Sequence, residues 1–174
     1  MLEVAAGTGR FHTFLRDNYP ALSTVCSDLS PFYLSEARDN MAYWQRFKGD
    51  AIAGKGETSF VQANGEDMPF ADESFDAVLN VYLFHELPLP ARKNVFAEVA
   101  RVLKPGGMFV LTDSLQLGDR PSQDAVLGNF GDFAEPHYRD YVRTDFAELA
   151  RECGFACDAK ELMSSTKTLS FIKK

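Results

Sequence analysis

Leu2–Arg10 reads Leu-Glu-Val-Ala-Ala-Gly-Thr-Gly-Arg, a short apolar run that ends in a glycine-rich turn. The apolar run predicts a buried strand, and Arg10–Asn18 after the turn predicts a helix. Small residues between a strand and a helix let the backbone approach a ligand closely. Because ligands of open α/β sheets lie beyond the carboxyl ends of the strands, the turn predicts a nucleotide pocket.

Two common nucleotide fingerprints do not fit this turn or the rest of the chain. A dinucleotide turn needs Gly-x-Gly-x-x-Gly, and counting from Gly7 places His12 at the third glycine. Counting from Ala5 places Arg10 there. Gly49–Gly56 approaches the phosphate-loop pattern, but it ends in glycine and follows a predicted helix, so we interpret it as a surface loop.

Asp28 is the candidate ribose ligand. It follows the second predicted strand, Leu22–Ser27, close to the ~20-residue spacing from the glycine turn at which a ribose-binding acid stands. A carboxylate there accepts hydrogen bonds from both ribose hydroxyls, which predicts an adenosine ligand with free 2′ and 3′ hydroxyls. The other role of such an acid, capping the next helix, is already filled by Ser30.

Composition narrows the class of protein. The 174 residues predict one domain, 1–174, with ordinary globular fractions of 45% hydrophobic and 25% charged residues. A net charge of −7 argues against a nucleic-acid partner. No apolar run approaches the ~20 residues of a membrane span. Three cysteines without a Cys-x-x-Cys pair favour a reducing, cytoplasmic location, and no metal site is predicted.

The chain opens inside its first predicted strand, so we expect an upstream segment to be missing. A transit peptide lost with that segment would place the protein in an organelle instead of the cytoplasm. A homodimer that covers the open side is also compatible with the sequence.

Apolar runs and amphipathic stretches alternate along the chain, which is typical of β-α-β proteins. Besides Leu22–Ser27, strands are predicted at Leu2–Ala6, Ser59–Ala63, Phe75–Tyr82, Met108–Asp113, Ala156–Met163 and Thr168–Lys173. Four or five helices are expected, among them Arg10–Asn18, Pro31–Phe47, Ala91–Val102 and a helix capped by Thr144 that runs to Cys153, whereas Asp119–Tyr138 is expected to be irregular. We expect His12 on an exposed helix face. The predicted fold class is α/β, a doubly wound, Rossmann-like sheet of seven mostly parallel strands with an antiparallel C-terminal pair.

Together these residues resemble the class I S-adenosylmethionine-dependent methyltransferases, in the broad group related to ubiquinone/menaquinone C-methyltransferases. Glu3–Gly9 is similar to the first motif of that family, an acid followed by Gly-x-Gly-x-Gly. Ala5 replaces the first glycine, a change expected to cost little because alanine is small. Phe60–Phe70 resembles the segment that wraps the adenine, and we expect the family's N-terminal helical segment to be missing. Asp72–Asp76 and Leu103–Gly107 match two further framework motifs.

The resemblance implies transfer of a methyl group from S-adenosylmethionine to a small-molecule acceptor, with S-adenosylhomocysteine as the product. Asn64 stands where the family has aspartate, and its side-chain oxygen is expected to accept from the adenine amino group. Glu3 is expected to pair with the cofactor's amino group. The implied cofactor-binding residues are Glu3, Ala5, Gly7, Gly9, Asp28, Leu29, Asn64, Gly65, Glu66, Asn80 and Val81.

His85 and Tyr82 are the candidate catalytic residues. An imidazole titrates near neutrality, so His85 is the best candidate base, and its alternative role is to position the substrate or support the structure. Tyr82 is expected to border the methyl group. The candidate acceptor-binding residues are His85, Phe133, His137, Tyr138 and Tyr141, whose alternative is an apolar lid packed on the core.

Two other functions stay open. One is a catalytically inactive S-adenosylmethionine-binding fold or a truncated methyltransferase. The other is a nicotinamide-dependent oxidoreductase, against which His12 at the third glycine position argues.

Overall fold

A computed structural model describes residues 1–48, 56–130 and 135–174. The strands are β1 Leu2–Val4, β2 Thr24–Asp28, β3 Thr58–Gln62, β4 Phe75–Val81, β5 Leu103–Ser114, β6 Phe155–Met163 and β7 Thr166–Lys173. The α-helices are α1 Arg10–Asn18, α2 Pro31–Lys48, α3 Leu89–Val102, α4 Asp124–Phe130, α5 Tyr138–Tyr141 and α6 Phe146–Glu152. Short 3-10 helices cover Phe84–Glu86 and Pro121–Gln123.

All seven strands form one sheet in the order β3-β2-β1-β4-β5-β7-β6. The first five strands pair in parallel, and β7 runs antiparallel to both β5 and β6. The predicted fold class is therefore confirmed. The strand order reverses between β1 and β4, so their carboxyl ends open a crevice of the kind in which doubly wound proteins bind ligands. The edge strand β6 shifts its register against β7 between Cys157 and Ala159.

An aromatic cluster in the core holds the segment that follows β4. The ring of Phe84, in the first 3-10 helix, lies 5.3 Å from the ring of Phe96 on α3 and 5.6 Å from that of Phe146 on α6. Phe96 also packs against Phe109 on β5, with 5.4 Å between ring centroids. All four side chains are buried. The backbone beyond β4 is thus fixed by burial of apolar surface, and the neighbouring His85 is fixed with it.

Two expectations about secondary structure differ from the structure. Asp119–Tyr138, expected to be irregular, contains the second 3-10 helix and α4 and ends where α5 begins, so the described ranges hold six α-helices. Helix α6 is capped by Asp145, not Thr144, because the Asp145 carboxylate accepts the Glu148 N–H at 3.0 Å. Most of the predicted loop Gly49–Gly56 lies outside the described residues. Across the described ranges, no helix combines the length and apolarity needed to cross a membrane.

The turn after β1 depends on left-handed backbone. Gly7 and Gly9 have φ values of 56° and 68°, and Ala5 has φ 55°. A Cβ on Gly9 would lie 2.8 Å from the Cβ of Ala37, so glycine also permits the close contact of α1 with α2. The expectation that alanine at position 5 costs little considered only its size. Its left-handed conformation adds a cost of about 1–2 kcal/mol for an L-residue with a Cβ.

We expect Ala5→Gly to raise the free energy of unfolding by about 0.5–1 kcal/mol, measured by urea denaturation. Relief of the left-handed strain outweighs the ~0.4–1 kcal/mol by which glycine favours the unfolded chain. Ala6→Gly is the matched control, since Ala6 is not left-handed, and it should lower stability by about 0.4–1 kcal/mol. Equal losses in the two variants would contradict the assignment of strain to Ala5.

Candidate functional site

A cavity of about 700 Å³ opens at the carboxyl ends of β1, β2 and β4. This volume lies within the ~300–1,000 Å³ of small-molecule sites. Its wall is built from the turns that follow those strands and β3, together with part of α1. The main wall segments are Glu3–Thr8, Asp28–Leu29, Ala63–Glu66 and Val81–Leu83.

The cavity brings together most of the residues expected to bind the cofactor: Glu3, Ala5, Gly7, Asp28, Leu29, Asn64, Gly65, Glu66 and Val81. Gly9 and Asn80 do not line it. Gly9 lies against Ala37 instead. Asn80 is buried between strands, where its Nδ2 donates to the carbonyl of Val4 at 3.0 Å. Both residues therefore lie behind the residues that form the cavity wall.

Asp28 ties the glycine turn to the end of β2. One carboxylate oxygen accepts the Gly7 N–H and the other accepts the Ser30 N–H, each at 2.8 Å. Ser30 in turn caps α2, because its hydroxyl accepts the Tyr33 N–H at 3.3 Å. A carboxylate has about four lone-pair positions, so Asp28 keeps two for a ligand in the cavity that it lines.

Glu3 and His12 form a buried pair beneath the cavity. His12 Nδ1 lies 2.6 Å from Glu3 Oε2, and its Nε2 lies 2.9 Å from the Thr24 hydroxyl. The expectation that His12 is exposed is therefore wrong, since its side chain is fully buried. The exposed apolar side chains of α1 are those of Phe11 and Phe14, which line the cavity. The missed signal was Glu3 itself, because a buried carboxylate needs a donor.

Cys26 on β2 completes this buried group. Ligating atoms of Glu3, His12 and Cys26 lie within 4.8 Å of one another. Burial, with the nearby acids Glu3 and Asp28, raises the pKa of the Cys26 thiol to about 12. The thiol therefore stays protonated near neutral pH and is a small neutral neighbour of the Glu3–His12 pair.

The turn after β3 forms the opposite wall. Asn64 Oδ1 accepts the Glu66 N–H at 3.0 Å, so the oxygen expected to contact adenine already holds the turn with one of its lone pairs. Glu66 accepts from Asn94 Nδ2 at 2.9 Å. A Cβ on Gly65 would lie 3.3 Å from Val4 Cγ1, which explains the small residue there. This wall therefore combines backbone at close range with the polar side chains of Asn64 and Glu66.

His85 lies beside the cavity and is not part of its wall. Its Nδ1 is 2.7 Å from Oδ1 of Asp113, at the end of β5. This hydrogen bond raises the pKa of His85 although partial burial opposes the rise. Sequence reasoning missed Asp113. An acid at the end of an apolar strand, on the sheet edge where His85 stands, was the available signal.

Tyr82 follows the last residue of β4 and lines the cavity. It adopts a left-handed φ of 57°, and its hydroxyl lies 2.5 Å from that of Thr166 on β7. The side chain is 46% exposed, so its ring is accessible to a ligand.

The predicted acceptor-binding residues on and before α5 do not line the cavity. Tyr138 and Tyr141 are buried, and their rings lie 6.2 and 6.1 Å from the His85 ring. The backbone carbonyl of His137 accepts from Arg92 Nη2 at 2.8 Å. Phe133 lies outside the described residues. The packing of the two tyrosines fits the alternative reading of an apolar lid on the core.

Comparison with known proteins identifies the family. A family model described as "Methyltransferase domain" matches residues 2–111. A fatty-acid O-methyltransferase of Mycolicibacterium smegmatis is 36% identical over 130 residues, which are 74% of this chain and 42% of that protein. The ubiquinone/menaquinone biosynthesis C-methyltransferase of Desulfotalea psychrophila is 33% identical over 114 residues, 66% of this chain and 41% of that protein. The chain thus spans less than half the length of these two relatives.

Solved structures share the fold. A SAM-dependent methyltransferase from Methanosarcina mazei superposes with a TM-score of 0.75 at 18% identity, covering 99% of this chain and 91% of that one. The magnesium protoporphyrin IX methyltransferase of Synechocystis, crystallised with bound SAH, gives 0.72 at 12% identity over 99% and 73% of the two chains. Since the family model matches more than half of the sequence, the chain belongs to the methyltransferase domain family of class I S-adenosylmethionine-dependent methyltransferases.

Proposed function

We propose that this protein transfers a methyl group from S-adenosylmethionine to a small-molecule acceptor. The observation that carries the proposal is the meeting of Glu3, Asp28 and the glycine turn in one cavity at the reversal of strand order. When bound, S-adenosylmethionine supplies an electrophilic methyl group on a sulfonium. The protein's part is to hold both reactants in line and to exclude water.

The residues present fit this cofactor. Asp28 has two lone pairs left after its bonds to Gly7 and Ser30, enough for two ribose hydroxyls. Glu3 Oε2 accepts a hydrogen bond from His12, whereas Oε1 accepts none from the described residues. That oxygen is therefore suited to a cationic amino group. Asn64, through its remaining lone pair, is suited to an adenine amino group.

An acceptor with an apolar part fits the rim of the cavity. Phe11, Phe14, Leu29 and Tyr33 line it and are 42%, 54%, 65% and 52% exposed. Such a cluster of exposed apolar side chains marks a binding surface. The relatives named above include enzymes whose names refer to fatty acids and to quinone biosynthesis.

The net charge of −7 favours a small-molecule acceptor over a nucleic acid. The unpaired cysteines favour a location in the cytoplasm.

Calorimetric titration of the full chain should show micromolar binding of S-adenosylmethionine and S-adenosylhomocysteine. NAD should not bind, because His12 occupies the third glycine position of a dinucleotide turn. Turnover with an apolar acceptor would then separate an active enzyme from a fold that only binds the cofactor. Binding of NAD, or of none of the three ligands, would refute the proposed cofactor.

Asp28→Ala should weaken S-adenosylhomocysteine binding by about 1–3 kcal/mol, since two ligand hydrogen bonds are lost. The variant also frees the N–H groups of Gly7 and Ser30, so a thermal melt must show that it remains folded. Asp39→Ala makes the same substitution on the exposed side of α2 and should leave the affinity unchanged. A folded Asp28→Ala protein with full affinity would remove Asp28 from the binding site.

His12→Ala should lower the free energy of unfolding by about 1–3 kcal/mol, because it leaves the Glu3 carboxylate buried without its donor. Urea denaturation of His12→Ala, Glu3→Ala and the double variant should show coupling of about 0.5–3 kcal/mol. Phe11→Ala, at the neighbouring exposed position, should change stability by no more than about 0.5 kcal/mol. If the two single losses in the free energy of unfolding add up in the double variant, the contact between Glu3 and His12 contributes nothing to stability.

A further inference from the structure

We propose that Asp113 and His85 act as a proton-accepting pair, in which Asp113 positions His85 to deprotonate an alcohol or phenol acceptor. The inference rests on the proposed function and narrows it to oxygen acceptors that carry a proton at neutral pH. A general base is needed where the nucleophile carries a proton at neutral pH, as the oxygen of an alcohol or a phenol does.

The Asp113 carboxylate is held rigidly. It is fully buried, and its Oδ2 accepts the N–H of Phe84 at 2.8 Å and that of His85 at 3.3 Å. Its Oδ1 accepts the Ser114 N–H at 2.7 Å and contacts His85 Nδ1 at the same distance. These bonds join the end of β5 to the 3-10 helix and fix the imidazole relative to both.

The geometry also sets the tautomer of His85. An ionised carboxylate has no hydrogen to donate, so the hydrogen between the two groups belongs to His85 Nδ1. In the neutral ring Nε2 then carries the free lone pair, which makes it the proton-accepting atom. The carboxylate stabilises the imidazolium formed when that atom takes a proton.

The accepting edge of His85 lies next to the cavity. Its Nε2 is 3.8 Å from Oε1 of Glu86, and its ring lies 6.2 Å from that of Tyr82. Both neighbours line the cavity. The His85 side chain is 14% exposed, so one edge is accessible while the other faces Asp113. The pair therefore borders the place where a methyl acceptor would lie.

The electrostatic surroundings favour proton acceptance. The hydrogen bond to Asp113 is the main cause that raises the pKa of His85, and the nearby charges of Glu86 and Glu135 act in the same direction. Burial opposes them. The charged and titratable groups that face the pair from the packed elements, besides Tyr82, are Glu86, Glu135, Tyr138, Tyr141, Arg92 and Lys167.

The proposed step balances as follows in atoms and electrons. The acceptor's O–H proton passes to His85 Nε2, and the electron pair left on oxygen forms the bond to the methyl carbon. The carbon–sulfur bond breaks with its pair remaining on sulfur, which becomes uncharged. His85 then releases its proton to solvent.

Histidine NMR of the full chain without cofactor tests the pair directly. His85→Gln assigns the His85 signals among those of His12 and His137. Asp113→Asn should lower the pKa of His85 and move the ring hydrogen from Nδ1 to Nε2, because the amide NH₂ donates to Nδ1. Asp76→Asn removes the same charge at a side chain that is 80% exposed beside Lys104, and it should leave His85 unchanged. An unaltered His85 titration in Asp113→Asn would overturn the pair.

Methylation of a phenol with S-adenosylmethionine tests whether the Asp113–His85 pair acts as the base in methyl transfer. The neutral ring is the base, so kcat/KM should rise with pH through a pKa above the ~6.5 usual for histidine. Asp113→Asn and His85→Gln should each lower kcat by about 10²–10⁴-fold, and the double variant should lose no more than either. Asp76→Asn should keep the wild-type rate, and S-adenosylhomocysteine should bind all variants equally.

The outcomes separate the two proposals. If wild-type protein fails to bind S-adenosylhomocysteine, the proposed function fails and the inference fails with it. If the cofactor binds and methyl transfer proceeds, a pH-independent rate would overturn the inference alone. Additive losses in the double variant would do the same, because Asp113 would then act independently of His85.

Discussion

Three segments around the cavity are held by buried carboxylates that accept backbone or imidazole N–H groups. Asp28 bonds to Gly7 and Ser30, Glu3 bonds to His12, and Asp113 bonds to Phe84 and His85. The first N–H groups of a helix have no partner within it, and a buried carboxylate is costly unless it is hydrogen-bonded. The N–H groups gain an acceptor and the buried carboxylates gain donors in the same hydrogen bonds. These bonds fix the turns before any ligand binds.

The three acids lie at one end of the sheet because its strands are parallel there. Glu3, Asp28 and Asp113 stand on β1, β2 and β5, and β4 carries the segment that contains His85. The carboxyl ends of parallel strands meet at one edge, so acids far apart in sequence converge. The placement of the cavity and of the Asp113–His85 contact at the same end of the strands is a direct consequence of this topology.

The sequence predicted the sheet, the glycine turn and most of the cavity wall, because these depend on local periodicity and on one turn. It failed for His12 and Asp113, whose roles come from partners distant along the chain. Their pairing depends on which helix face meets the sheet and on strand order, and neither is a local property. The left-handed angle of Ala5 was missed for another reason, since side-chain size says nothing about φ.

The edge strand β6 has a consequence for the behaviour of the protein at high concentration. An edge strand offers unpaired N–H and C=O groups to any other strand, and this is how sheets of separate molecules join. In β6 the register shift between Cys157 and Ala159 interrupts a regular edge. Asp158, Lys160 and Glu161 add exposed charge along the same strand. The edge that β6 forms therefore resists strand-to-strand polymerisation.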